Sequence, residues 1–588
     1  CLLQQYLTSD DEIHSIAHSE MRWLLLLLLP SLALCSIVET SFGEIEGFEH
    51  LTEKGIPTHI FLGVRYGQAP DVHGRFKKPE MVEKWAPFRH SAKHFGAACI
   101  PFTESFLTPD ENYSEDCLFM NIITPTLRGN DLPVFMFIHG GGFEIGASNH
   151  YGYKRLAERV ASEGIVVVTI NYRLGPFGFF SLGHSISPGN MGLWDQTLAL
   201  RFLHEVLPSF GGDISRITVG GHSAGSCSAS ALQFSPHSNT LFSQSVLMSG
   251  SSLTEFSMSQ SVVEESKKLA KELKCLDKST TKTLDCLQER SAHEIIQAVD
   301  RLGSTRRHTN ILLYHPRADG DFFPQSIEQL AISAPRKRTL SGATDQESAI
   351  FVLYEELSAL TGIALKKPDW GKYSRKDLID FIETVVVTDR EHHDSASAFR
   401  RHLVDFYVEK EEKEGDSDFY LQRFSDLASD LQFLIPLYHE IQIKLANNWL
   451  TYLYILQHAP KDSSRDEYPV MGAYHGDELA SFTDSTGFYP VKEDDHEFES
   501  FGVHFASALV NFIKKGDPSS SSFSWPMVTK EHPFQHASIT ANISLKKEAY
   551  RAEAARLWLE SVPKSVSGEM LRKTRLPGAE AHIVHTEL

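Results

Sequence analysis

The stretch Ile217-Thr218-Val219-Gly220-Gly221-His222-Ser223-Ala224-Gly225-Ser226 joins a β-branched apolar run to a Gly-x-Ser-x-Gly motif, and small, helix-forming residues follow as far as Leu232. Strand, sharp turn and helix in that order form a nucleophile elbow. A serine on such a strained turn is lifted clear of the sheet, and the glycines at Gly221 and Gly225 let the strand and helix backbones approach closely. The pattern alone is weak, since a Gly/Ser surface turn has the same composition, and its meaning depends on what else the chain supplies. A second glycine-rich run, His139-Gly140-Gly141-Gly142-Phe143, follows the apolar stretch Val134–Ile138. A phosphate loop would need Gly-Lys-Ser/Thr or a G-x-G-x-x-G spacing, and Ile145 stands where the last glycine would fall. The better reading is an oxyanion hole, in which the N–H groups of Gly141 and Gly142, joined by that of Ala224 after the candidate nucleophile Ser223, point at one oxygen.

Such groups need a rigid frame. Short apolar runs recur between helical stretches at Val134–Ile138, Ile165–Ile170, Ile217–Val219, Ser245–Met248, Ala349–Phe351 and Tyr452–Leu456. Each is continuous rather than alternating, which predicts strands buried on both faces. With helices between them, the expected fold class is α/β, a large, mostly parallel central sheet covered by helices on both faces. The stretch from about Thr361 to Asp418 reads as a helical insertion, with Glu409–Glu414 a solvated face, and Gly516-Asp517-Pro518 followed by Ser519–Ser522 reads as a surface loop. No internal repeat stands out.

The chain has 588 residues, enough for one large domain with insertions, and 41% are hydrophobic. A net charge of −20 with no basic stripe argues against nucleic acid or an anionic membrane as partner. Met21-Arg22-Trp23 and the leucine-rich run to Leu34 read as a secretory signal peptide over residues 21–35, too short to span a membrane, with residues 1–20 as upstream sequence. No membrane anchor is expected. One domain is expected over 36–567 and a poorly ordered tail over 568–588. In an oxidising compartment, Cys99 with Cys117 and Cys275 with Cys286 would each close a short loop, although sequence alone does not fix the pairing. Cys227, four residues after Ser223, is left as a buried free thiol. Asn112-Tyr113-Ser114 and Asn542-Ile543-Ser544 are glycosylation sequons. The final His585-Thr586-Glu587-Leu588 shares Glu-Leu with signals that return proteins to the endoplasmic reticulum, so a retrieval receptor is an expected partner and the endoplasmic reticulum lumen the expected location, with secretion as the alternative.

Six ordered motifs then carry a resemblance: Ser114–Ile122, the His139–Phe143 loop, Asn171–Gly175, Gly189–Gln196, Phe210–Asp213 and the elbow. Together they resemble the type-B carboxylesterase and cholinesterase family of α/β-hydrolases, in that family's order, from about Gly43 to Trp558. The resemblance implies a serine hydrolase with a Ser-Glu-His triad that needs no metal or cofactor. Ser341–Ser348 looks like the family's acid segment, placing the acid on Glu347 just before the Ala349–Phe351 strand candidate, with Asp345 as rival. Gly472–Leu479 looks like its histidine loop, placing the base on His475; a metal reading of His475, Asp477 and Glu478 lacks a second ligand cluster. Arg75 with Glu115, and Arg173 with Asp195, fall where the family keeps ion pairs bracing active-site loops.

Departures from the family bear on substrate. Between Cys99 and Cys117 the large apolar aromatics are Phe102 and Phe106, with no tryptophan to hold a quaternary ammonium group, so a choline ester is a poor substrate. Phe256 stands where an acyl-pocket tryptophan is often found, implying an apolar acyl pocket of moderate size. The expected function is broad-specificity hydrolysis of small carboxylic esters through an acyl-enzyme, resembling intestinal or liver esterases. With an ordinary histidine as base, activity should fall as pH drops through about 6 to 7. The alternatives are a lipase, a hormone-type esterase and a catalytically silent adhesion module; the last would typically have lost the nucleophile that this chain keeps.

Overall fold

The computed structural model describes residues 35–562, apart from 69–73, 128, 130, 412, 414, 460–464 and 486–495. The upstream residues, the expected leader except Cys35, and the tail over 568–588 with its His-Thr-Glu-Leu end lie outside the described residues.

The strands in chain order are β1 (Cys35–Thr40), β2 (Gly43–Leu51), β3 (Pro57–Arg65), β4 (Arg89–Ser91), β5 (Ala98–Cys99), β6 (Tyr113–Ser114), β7 (Phe119–Thr124), β8 (Leu132–Ile138), β9 (Val166–Ile170), β10 (Gly212–His222), β11 (Gln244–Met248), β12 (Arg338–Thr344), β13 (Leu450–Leu456), β14 (His536–Ile539) and β15 (Ile543–Lys546). Among the described residues, one 13-stranded sheet runs in the order β1-β2-β3-β7-β9-β8-β10-β11-β12-β13-β14-β15, with β4 beside β2. From β9 to β14 every neighbouring pair is parallel, while the pairs beyond them in that order are antiparallel and β4 lies parallel to β2.

The continuous apolar runs have the cause expected of them. On β8, Val134, Met136 and Ile138 enter the apolar core on one face of the sheet, while Phe135 and Phe137 enter a second core on the other. Side chains alternate at period two, so a strand covered on both faces must be apolar throughout.

One strand expectation is overturned. Ala349–Phe351 is helical, inside the helix Ala349–Leu353, and the strand beside β11 is instead Arg338–Thr344. Glu347 therefore follows a strand rather than preceding one. The strand escapes an apolar-run reading because its middle must be small: a Cβ on Gly342 would stand 2.2 Å from the Tyr454 ring of β13. Five buried apolar residues in a row cannot be told from a strand by periodicity alone.

The parallel core fixes the geometry of the site. The His139–Phe143 loop leaves β8, Ser223 follows β10, Glu347 follows β12, and the loop carrying His475 comes after β13. All four lie outside the carboxyl ends of parallel strands, where open α/β sheets bind their ligands.

Candidate active site

Ser223 takes φ +58° between β10 and the helix Ala224–Phe234, a conformation that strains a non-glycine residue. Its N–H donates to the Met248 carbonyl at 2.9 Å, which ties the turn to β11. The flanking glycines are sterically required: a Cβ on Gly225 would stand 2.0 Å from the Ile138 carbonyl oxygen, and one on Gly221 would stand 2.4 Å from the Gly225 backbone. Cys227 is a buried free thiol whose pKa burial pushes up to about 12, which disfavours the thiolate that a nucleophile needs.

In the glycine loop Gly141 has φ +105° and Gly142 φ +64°. A Cβ on Gly141 would meet the Ile145 carbonyl oxygen at 2.2 Å, and one on Gly142 would meet Leu312 at 2.9 Å. The Gly140 N–H donates to the Tyr151 hydroxyl at 3.2 Å. Among the described residues, the N–H groups of Gly141, Gly142 and Ala224 donate to no protein acceptor.

His475 Nδ1 lies 2.5 Å from Glu347 Oε2, both groups being buried. Glu347 Oε1 accepts from the Thr344 N–H at 2.8 Å. Burial pushes the His475 pKa down and the Glu347 pKa up, each toward its uncharged form. His475 Nε2 has no hydrogen-bond partner among the described residues. Asp345, the rival acid, does not reach the imidazole; its Oδ1 accepts from the Ala473 N–H at 2.7 Å and so supports the histidine loop. Asp477 pairs with Arg465 at 2.9 Å and accepts from the Tyr474 N–H at 2.7 Å. Glu478 accepts from the Ser249 hydroxyl at 3.0 Å, and burial pushes its pKa up to about 8.

A cavity of about 330 Å³ brings Ser223, His475, Gly141 and Gly142 together, with Phe256, Phe351 and Leu312 on its walls. Phe433, on the π-helical turn Asp430–Leu434, backs this wall, with ring centroids 4.8 Å from His475 and 5.5 Å from Phe256. Cys99 is bonded to Cys117 and Cys275 to Cys286. Phe106 and Tyr113 of the loop closed by the first bridge line the cavity, whereas Phe102 is fully buried beside Gly175. Arg75 grips Glu115 from Nε at 2.6 Å and donates to the Leu287 carbonyl at 3.3 Å, joining the first bridge to the segment after the second. Arg173 pairs with Asp195 through Nη2 at 2.6 Å, both nearly inaccessible.

Sequence reasoning missed His222 and Glu144. His222 lines the cavity with its ring centroid 4.4 Å from that of His475, and burial pushes its pKa well below the ordinary value. Its position inside the elbow motif was the available signal. Glu144 gave none: it reads as a surface acid after a glycine loop, yet it is wholly buried.

The sheet, elbow and buried His–Glu pair define an α/β-hydrolase site. A sequence model of the carboxylesterase family matches residues 35–558, and the chain belongs to that family. It is 31% identical to gut esterase 1 of Caenorhabditis briggsae over 496 residues, covering 84% of this chain and 87% of the relative. It is 30% identical to bile salt-activated lipase of Bos taurus over 522 residues, covering 85% and 82%. Venom carboxylesterase-6 of Apis mellifera is 37% identical over 266 residues, covering 45% and 47%. The protein is a carboxylic ester hydrolase.

Proposed function

We propose that the chain hydrolyses small carboxylic esters of broad structure through an acyl-enzyme on Ser223. His475 accepts the serine proton as Oγ attacks the carbonyl carbon, then returns it to the leaving alcohol. Glu347 orients His475 and stabilises its imidazolium, and the N–H groups of Gly141, Gly142 and Ala224 receive the oxyanion. Water, deprotonated by the same imidazole, then releases the acid. The observation that carries this reading is the arrangement of His475: Nδ1 on Glu347 at 2.5 Å, and Nε2 unpartnered on the cavity that Ser223 also lines. Phe256 and Phe351, backed by Phe433, would present aromatic surface to the acyl chain, and no part of the mechanism calls for a metal or cofactor.

The 36–567 span acts as one domain in this reading. Asn112 and Asn542 are exposed, as glycosylation in the secretory pathway would require. Among the described residues, no helix is long and apolar enough to cross a membrane. We place the protein in that pathway, in the endoplasmic reticulum lumen if the His-Thr-Glu-Leu end is read by a retrieval receptor and secreted otherwise.

The test is hydrolysis of p-nitrophenyl acetate, butyrate and octanoate, with acetylthiocholine as comparison and Ser223→Ala as control. Turnover of the p-nitrophenyl esters that the control abolishes, with acetylthiocholine untouched, is the expected result. A folded wild-type chain that turns over no ester would overturn the reading.

A further inference from the structure

Glu144 stands two residues beyond the oxyanion glycines, is wholly buried, and forms no ion pair among the described residues. Its Oε1 accepts from the N–H groups of Leu313 and Tyr314, both at 2.8 Å, while Oε2 has no partner among the described residues. Its own N–H donates to the Gly141 carbonyl at 3.1 Å, and its carbonyl accepts from the Phe102 N–H at 3.0 Å. One residue thus joins the glycine loop, the roof between Cys99 and Cys117, and the strap that carries Leu312.

The strap has a need that Glu144 meets. No helix or strand lies between Leu302 and Ile327 among the described residues, so no ladder serves the buried N–H groups there: that of Leu312 donates to Asn310 Oδ1 at 3.1 Å within the strap, and those of Leu313 and Tyr314 are left to Glu144. Ile311 and Leu312 of the strap line the cavity, and Leu312 is the side chain that a Cβ on Gly142 would strike. The strap therefore touches the site at the residue assigned to the oxyanion hole. Burial pushes the Glu144 carboxyl up to about 8, against the pull of its two N–H bonds and of Arg306 nearby, with Glu265 adding to the rise. A neutral carboxyl keeps one carbonyl-type oxygen for both N–H groups and leaves no buried, unpaired charge.

We propose that Glu144 is a positioning residue for ester hydrolysis: it holds the Leu312 strap against Gly142, fixing the width of the cavity there and the spacing of the oxyanion donors. This rests on the reading of the cavity as the esterase site.

The test uses the full chain with p-nitrophenyl acetate and p-nitrophenyl octanoate, comparing Glu144→Gln, Glu144→Asp and Glu144→Leu with wild type. Glutamine keeps a neutral acceptor at the same reach, so kcat and KM should stay within about threefold of wild type on both esters. Leucine accepts nothing, and aspartate is one methylene short. Both should lower kcat on the acetate by about 10- to 100-fold, with KM little changed. Both should lose less on the octanoate as the strap relaxes outward, so the octanoate-to-acetate ratio rises. Should Glu144→Leu fail to fold, Glu144→Asp carries the test. A wild-type ester ratio in Glu144→Asp would overturn the proposal. So would a Glu144→Gln that loses as much as Glu144→Leu or does not fold. Wild-type turnover separates these outcomes from failure of the esterase reading, in which no ester is hydrolysed at all.

Discussion

In the proposed mechanism only neutral imidazole takes the Ser223 proton, so the protonation of His475 and of its partner Glu347 would set the acid limb of the pH profile. An ordinary histidine titrates near 6.5, but burial pushes His475 below that value, and its neutral form persists to lower pH. Glu347 must stay a carboxylate to do its part, and burial pushes its pKa up, so activity is lost as pH falls and either member of the pair takes up a proton. Glu347→Gln leaves only His475 to titrate, so the residual activity of that variant should have its half-point below pH 6.5; a half-point at or above pH 7 in that variant would contradict this environment. Replacing Glu347 with Gln should cost about 10³- to 10⁴-fold in kcat, since the amide neither stabilises the imidazolium nor fixes the reactive tautomer. Asp345→Asn, by contrast, keeps an acceptor for the Ala473 N–H and should lose less than about tenfold. Steady-state kinetics of the two variants separate the acid from its rival.

The elbow works because two glycines let a helix and a strand meet. Gly225→Ala would drive a methyl to within 2.0 Å of the Ile138 carbonyl oxygen and should destabilise the fold by at least about 3 kcal/mol, read as lost soluble yield or a lower urea midpoint. The disulfide between Cys99 and Cys117, separated by 18 residues, restricts the unfolded chain by about 3 kcal/mol. The Cys99→Ser/Cys117→Ser variant should lose that amount of unfolding free energy, read as a lower urea midpoint without reducing agent; an unchanged midpoint would mean that packing alone holds the roof. At this scale, what the sequence reveals depends on which partners shape an element. Strands β8, β9, β10, β11 and β13 were readable because burial on both faces demands continuous apolar runs. Strand β12 was not, because Tyr454 forces Gly342 into its middle, while the short helix after Glu347 is apolar for its own burial. Ser223, Glu347 and His475 could be singled out because the segments around them resemble the family's motifs. Glu144 could not, since its burial is decided by donors 169 and 170 residues further along the chain.

For the molecule as a whole, the parallel strands from β9 to β14 deliver loops from distant parts of the chain to one edge of the sheet, and that is what turns scattered motifs into a site. The family model matches residues 35–558 and the likeness to gut esterase 1 covers 84% of the chain, so the family resemblance extends over nearly all of the described residues. Whether Ser223 is the nucleophile held by this framework is decided by reaction with diethyl p-nitrophenyl phosphate. Serine oxygen would displace p-nitrophenolate at phosphorus, leaving a diethylphosphoryl group that peptide mass spectrometry locates. One such group per chain is expected, on Ser223, with esterase activity falling in proportion to labelling and no label in Ser223→Ala. A label on another residue, together with undiminished ester hydrolysis by Ser223→Ala, would contradict it.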